Sequence, residues 1–129
     1  MRSEFLGVVV FAVFGFAHTA AASVPNEVQK SLELWQPKAV QLNGASLVVI
    51  SKERRVTDQV YRAMVGGICM GVLSRPSSLN GVAEIRILNS AGRQGFVFEG
   101  GRSECDQINS MPIGDTKLHI LGITHMHSN

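Results

Sequence analysis

The chain has 129 residues, with 12 Lys or Arg against 10 Asp or Glu, and its formal net charge is +2. This length leaves room for one domain. Charges of both signs are interspersed and the longest basic run is Arg54-Arg55, so the composition excludes the basic stripe of a nucleic-acid binder.

The amino terminus has the residue order of a secretory signal peptide. Arg2 precedes an apolar run over residues 5–17, and Ala20 and Ala22 then supply the small-x-small pattern of a cleavage site. The apolar run has 13 residues, whereas a transmembrane helix needs about 20. The sequence therefore predicts cleavage after Ala22.

Cleavage there would divide the chain into a signal peptide, residues 1–22, and one mature domain, residues 23–129. We expect that domain in the periplasm or outside the cell, without stable membrane insertion. An uncleaved anchor is the alternative, because Glu4 weakens the positive end of the leader. The chain has no Asn-x-Ser/Thr site for N-glycosylation, which favours a bacterial periplasm.

Two elements are predicted before residue 51. The first is a helix over residues 26–35, with Asn26 as its N-cap and Pro37 as its stop. In residues 39–50, Asn43-Gly44 lies between apolar stretches, which is the sequence pattern of a tight β-hairpin. One long strand with a bulge at Gly44 is the alternative interpretation.

A long helix is predicted over about residues 57–73. Thr57 is a suitable N-cap, and apolar residues then recur every four positions. Gly67 and Gly71 each cost about 1 kcal/mol of helix propensity relative to alanine. That cost is tolerated where a neighbouring backbone must approach closely, so we expect these glycines to lie against the sheet.

An antiparallel hairpin is predicted from residues 82–89 and 95–99. Apolar and polar residues alternate in both segments, as they do in a half-buried strand. The apolar residues that would share the buried face are Ile85, Ile87, Phe96 and Phe98.

The last third of the chain gives weaker patterns. Ser103 can cap a short helical turn, and residues 112–114 form a loop with Pro and Gly. A final strand is predicted from residue 117 to about 125, because apolar residues occupy both parities there.

These elements predict an α+β fold. We expect a small two-layer domain in which a mainly antiparallel sheet of about five strands carries one long helix on one face.

Cys69 and Cys105 are the two cysteines of the chain. An exported protein would pair them, and the chain-entropy model assigns the resulting loop closure about 4 kcal/mol. Two buried free thiols are the alternative. We expect one disulfide that fastens the long helix to the segment after the second hairpin.

Three histidines are candidates for metal binding. His119, His125 and His127 share strand parity in the predicted last strand, and His-x-His can bind Zn²⁺ or Cu²⁺ through two imidazoles. The alternative is a frayed polar terminus. We retain His125 and His127 as the candidate metal ligands, and the sequence predicts no other cofactor.

Arg54, Arg55 and Arg62 form a candidate partner-binding edge near the start of the long helix. Such an edge can dock an acidic protein partner. The alternative is ordinary solvation, with Glu53 and Asp58 as local ion-pair partners.

No catalytic motif is present: the sequence lacks a Gly-x-Ser-x-Gly elbow, dinucleotide-binding spacing and a P-loop. Three classes of function remain. The first is a small exported non-enzymatic binding protein, such as an inhibitor, an immunity-like protein or an accessory protein that acts on a protein partner. The second is a metal-binding protein, and the third is a small exported hydrolase.

Overall fold

In the computed structural model the described residues are 23–129, so the predicted signal peptide lies outside them. The helices within these residues are α1 (Asn26–Leu32), α2 (Asp58–Ser74), α3 (Arg102–Ser110) and α4 (Ile113–Gly122). The strands are β1 (Ala39–Asn43), β2 (Ser46–Ile50), β3 (Glu84–Leu88), β4 (Gln94–Phe98) and β5 (Thr124–Ser128). Two short 3-10 helices, Glu33–Trp35 and Pro76–Leu79, follow α1 and α2.

The five strands form one sheet in the order β1-β2-β3-β4-β5, which is also their order along the chain. β2 and β3 are parallel, and the other three pairs are antiparallel. A parallel pair needs a long crossover, and α2 provides it. The predicted α+β fold with a mainly antiparallel five-stranded sheet is confirmed, although four helices are present where the sequence predicted two helices and a short helical turn.

The first half of the chain follows the prediction with one difference. Residues 44 and 45 form a two-residue turn between paired Asn43 and Ser46, and Gly44 has the positive φ of +60° that such a turn requires. The hairpin is therefore confirmed, and the single bulged strand is excluded. Asn26 does not cap α1: the N-cap is Pro25, with no side-chain hydrogen bond.

α2 supplies more buried core side chains than any other element. The Thr57 hydroxyl caps it by accepting a hydrogen bond from the Val60 N–H at 3.2 Å, as the sequence predicted. Burial of the large apolar side chains of α2 contributes about 1.5–3 kcal/mol each to the free energy of folding. They are Tyr61, Met64, Val65, Ile68 and Val72, and the strand residues buried in the same core are Leu47, Val49, Ile85, Ile87 and Phe98.

Gly67 and Gly71 of α2 face a helix and not the sheet. A Cβ on Gly67 would lie 3.4 Å from the Ser31 carbonyl oxygen, and one on Gly71 would lie 3.5 Å from the Glu27 carbonyl oxygen. Both oxygens belong to α1. The expectation of close approach was right, but the prediction that the sheet is the neighbour was wrong.

A disulfide joins Cys69 of α2 to Cys105 of α3, with the two Cα atoms 4.8 Å apart. α3 is longer than the predicted turn and starts before Ser103. A Cβ on Gly101 would overlap the carbonyl oxygen of Val82, so glycine is required at this helix start. The Glu104 carboxylate accepts a hydrogen bond from the Gly101 N–H at 2.8 Å and fixes the first turn.

The predicted final strand over residues 117–125 is wrong. Most of that segment is α4, which begins directly after Pro112, and β5 starts only at Thr124. A short run that is apolar at both parities fits a buried strand. It also fits a buried helix segment, because hydrophobic periodicity does not distinguish the two in so short a run. Ile120 is buried in the core. Within residues 23–129, no helix combines the length and the apolar character that crossing a membrane requires.

Candidate binding surfaces

The sheet face opposite the helices carries a layer of polar side chains, which we call the open sheet face. The register places Arg86 of β3, Val97 of β4 and His125 of β5 side by side. Val97 is buried even though it lies on this face. Long polar side chains therefore cover an apolar centre here.

Arg86 is the centre of a hydrogen-bonded group on this face. Its Nε donates to the Glu84 carboxylate at 3.0 Å, and its Nη1 donates to His127 Nδ1 at 3.2 Å. Burial by itself raises the pKa of the Glu84 carboxyl, but the hydrogen bonds and positive charge of Arg86 outweigh it, so that pKa lies below its ordinary value.

The structure separates the three histidines. His119 lies on α4, so the predicted strand parity that it shares with the other two is wrong. His125 and His127 alternate with Met126 on β5 and share the open sheet face. His125 Nδ1 lies 2.6 Å from Glu99 Oε1, and both side chains are exposed.

The Arg86 contact bears on metal binding by His127. An arginine can only donate, so Nδ1 of His127 accepts and the ring proton lies on Nε2. A metal ligand needs a free lone pair, and His127 would have to lose this hydrogen bond to provide one. In the part of the chain that the structure describes, no group of three or more His, Cys, Asp or Glu side chains is placed to hold a metal. Metal binding by His125 and His127 stays a prediction.

The loop between β2 and α2, which carries Arg54 and Arg55, is held by side-chain amides. The Gln94 amide accepts from the Val56 N–H at 2.8 Å and donates to the Val56 carbonyl at 2.9 Å. Asn89 donates to the Arg54 carbonyl at 3.0 Å. These bonds hold the backbone of the loop against the β3–β4 turn and the first residue of β4.

The same end of the sheet gathers basic side chains from three further positions. Lys38 donates from Nζ to the Ser90 carbonyl in the β3–β4 turn at 3.2 Å, and the Ser90 N–H donates to the Glu53 carbonyl at 2.8 Å. We define the cationic end as the exposed side chains of Lys38, Lys52, Arg54, Arg55 and Arg93.

Charge at the cationic end is not neutralised locally. None of its five side chains is in an ion pair with another residue of the described region 23–129. Glu53 is the one acidic residue of its loop. Sequence reasoning found Arg54 and Arg55 but missed Lys38 and Arg93, because strand pairing brings these distant residues to the same end.

Arg62 occupies a different environment from Arg54 and Arg55. It lies in α2, where its Nη2 is 3.4 Å from the Asp58 carboxylate, the ion pair that the sequence suggested. Its Nε is buried without a hydrogen-bond partner in the described residues. Arg62 lines a groove between helices, whereas Arg54 and Arg55 do not. Partner binding by the three arginines stays a prediction.

This groove has a volume of about 590 Å³ and is bounded by α2 and by the segment that runs from the end of α3 into α4. The α2 residues that line it recur every three or four positions and thus share one helical face. They are Gln59, Arg62, Ala63, Gly66, Gly67 and Met70. The other lining residues are Ile108, Asn109, Met111, Ile113, Thr116, Lys117 and Ile120.

Comparison with known proteins finds no matching family model, no matching curated protein and no matching solved structure.

Proposed function

We propose that this protein is an exported, non-enzymatic binding protein that docks an acidic surface of a partner protein on its cationic end. The observation that carries the proposal is the cluster of five exposed cations that form no ion pair within the described residues. Four of them lie on the β2–α2 loop and the β3–β4 turn, which hydrogen bonds hold in place, and Lys38 lies just before β1. A loop whose backbone is already held in place loses less conformational entropy on binding, and its charges attract an opposite surface before contact.

Two further observations support export and a binding role. The disulfide between Cys69 and Cys105 is typical of proteins that mature outside the reducing cytosol. The carboxylate–imidazole pair of Glu99 and His125 lies exposed on the open sheet face, where water screens it, and it does not line the groove. General acid–base catalysis needs groups whose pKa values are shifted towards neutrality, and burial is the usual cause of such shifts.

The docking surface is tested by photo-crosslinking in the source organism. A photoreactive amino acid replaces Lys52 at the cationic end or, as a control, Leu34, which is 94% exposed outside the cationic end. We expect one protein adduct from position 52 and none from position 34. The adduct should be lost in Arg54→Gln/Arg55→Gln and retained in Arg75→Gln/Arg102→Gln, which removes two cations that pair with acids elsewhere.

Because Asn89 holds the carbonyl oxygen of Arg54, the glutamine substitutions leave the loop's hydrogen bonds intact. The identified partner, once purified, should bind more weakly as salt is raised, since exposed charges are screened over about 10 Å at 0.1 M salt. An adduct of equal yield from both positions, or one that survives Arg54→Gln/Arg55→Gln, would contradict the proposal.

Export is tested separately by amino-terminal sequencing and thiol titration of the protein from its own cells. We expect an amino terminus at or within a few residues of Ser23 and no free thiol. Full-length protein with reduced cysteines would place the molecule in the cytosol and remove this part of the proposal.

A further inference from the structure

The groove between α2 and the α3–α4 segment has the size and the lining of a small-molecule site. Its volume of about 590 Å³ lies within the range of roughly 300–1,000 Å³ that such sites occupy. Two large apolar side chains on it are in contact with solvent: Met70 is 65% exposed and Ile113 is 92% exposed. An apolar ligand would remove both from water.

The charges that line the groove all have one sign. Arg62 from α2 and Lys117 from α4 are its charged residues, and no carboxylate lines it. The ion pair of Arg62 with Asp58 is long, at 3.4 Å, and uses one of the guanidinium nitrogens. The Arg62 Nε is buried without a partner in the described residues, so this guanidinium has unused donor capacity.

The α2 side of the groove is open at Gly66. A Cβ built there would meet no atom within 4 Å. Ala63 is its neighbour one turn earlier and also lines the groove, as do the larger side chains of Met70 and Ile113. We call the part of the groove beside the two small residues the channel. A narrow unbranched chain fits such a channel better than a peptide helix, whose diameter with side chains is about 10–12 Å.

We propose that the groove binds an amphipathic monoanion, a molecule with an unbranched apolar chain and one carboxylate. The chain lies along Gly66 between Met70 and Ile113, and the carboxylate accepts hydrogen bonds from Arg62 and Lys117. This site is independent of the cationic end, and it assigns to Arg62 a role different from that of Arg54 and Arg55.

The probe is octanoate, added to the purified oxidised protein and followed by NMR chemical shifts of methyl groups. We expect saturable shifts at Met70, Ile113 and Ile120. Affinity should rise about three- to fourfold for each methylene added to the chain, in line with the free energy of methylene burial. Octylammonium has the same chain with the opposite charge, and we expect it to bind at least tenfold more weakly.

Three variants localise the site. Gly66→Leu places a large side chain in the groove, and its Cβ would meet no atom within 4 Å. We expect it to abolish octanoate binding while α2 stays folded. Arg62→Gln/Lys117→Gln should weaken octanoate about tenfold or more and leave octylammonium unchanged or tighter, because charged hydrogen bonds are lost. Arg102→Gln, which removes a cation outside the groove, should have no effect.

The proposal is overturned if octanoate causes no saturable shift, if octylammonium binds equally well, or if the shifts lie outside the groove. Binding that survives Gly66→Leu would also overturn it, and so would an acidic amphipathic peptide that binds the groove while octanoate does not. The comparison of octanoate with octylammonium uses the unmodified protein, so it decides the matter even if a variant fails to fold. Arg54→Gln/Arg55→Gln should leave octanoate binding unchanged, which separates this test from that of the partner protein.

Discussion

The hydroxyl of Tyr61 lies 2.6 Å from Thr124 Oγ1, and this contact joins the first turn of α2 to the first residue of β5. Thr124 in turn donates to the Ile120 carbonyl at 2.6 Å, so Tyr61 is the donor to Thr124. Tyr61 is fully buried, and its ring also lies 5.0 Å from that of Phe96. Two hydrogen bonds in series thus fix the junction where α4 ends and β5 begins.

Removal of the Thr124 hydroxyl should destabilise the protein more than removal of the Tyr61 hydroxyl. Thr124→Val leaves a buried hydroxyl on Tyr61 without a partner, and we expect a loss of about 1–3 kcal/mol. Tyr61→Phe removes the hydroxyl itself and should cost only about 1 kcal/mol. Urea unfolding of both variants and of the double variant measures this, and the double variant should lose less than the sum. Additive losses would show that the two side chains are not coupled.

The acid–base behaviour of Tyr61 can be read directly, because it is the single tyrosine of the chain. Burial raises its pKa from the ordinary 10.0 to about 12, the Thr124 hydroxyl, which can donate a hydrogen bond to the phenolate, opposes this rise, and the charge of Glu99 adds to it. Ultraviolet titration of the folded protein should show phenolate near pH 12. A native phenol that ionises near pH 10 would contradict this environment.

The same shift predicts how stability depends on pH. The folded-state pKa is above the unfolded value, so the contribution of Tyr61 is complete below pH 10 and is lost as pH rises towards 12. Unfolding free energies measured over this range should fall more steeply for the wild type than for Tyr61→Phe. Lysines titrate in the same range in both proteins, so the difference between the two curves isolates the phenol.

The disulfide should account for a large part of the net stability. Cys69 and Cys105 are 36 residues apart, and the chain-entropy model gives about 4 kcal/mol for closing such a loop. Cys69→Ala and Cys105→Ala should therefore lower the melting temperature to the same extent, and reduction of the wild type should reproduce the effect. Equal melting temperatures for the oxidised and reduced wild type would contradict a stabilising role.

Gln94 should position the cationic end. Gln94→Leu leaves the N–H and carbonyl of Val56 without their partners, and we expect a loss of about 1–3 kcal/mol in the free energy of unfolding. Crosslinking from position 52 should weaken at the same time. Gln107→Leu, at an exposed position of α3, is the matched control and should change neither quantity.

Two glycine-to-alanine substitutions should act in opposite directions. At Gly71 the new Cβ would lie 3.5 Å from the Glu27 carbonyl oxygen, an ordinary contact, so Gly71→Ala should gain up to about 1 kcal/mol of helix propensity. At Gly101 the Cβ would overlap the Val82 carbonyl, and Gly101→Ala should lose about 1–3 kcal/mol. Thermal unfolding distinguishes the two signs.

The parts of the fold that local sequence determines were predictable. Asn43-Gly44 specifies the first hairpin, the alternation from Ile85 to Phe98 specifies the second, and the two cysteines specify the disulfide. The segment around Leu118 was not predictable in this way, because its apolar residues satisfy both a strand and a helix and tertiary packing decides between them.

The candidate surfaces were predictable only in part, for a topological reason. Arg54 and Arg55 are adjacent in sequence and were found, whereas Lys38 and Arg93 join them only after β1 pairs with β2 and β3 with β4. Residues of α4 line one side of the groove. Because the sequence predicted a strand in place of α4, it did not predict the groove. Arg62 was noticed for its charge, but the orientation of α2 decides which surface it belongs to.

The arrangement of the sheet has a kinetic consequence. Every strand pairs with its neighbour along the chain, and two of the four pairings, β1–β2 and β3–β4, need only short loops to close. The β4–β5 pair is closed by a longer connection that contains α3 and α4. The β2–β3 pair encloses all of α2, and its loop-closure entropy is the largest of the four. We expect the two hairpins to form first and the long closures, above all that of the β2–β3 pair, to form late and to set the folding rate.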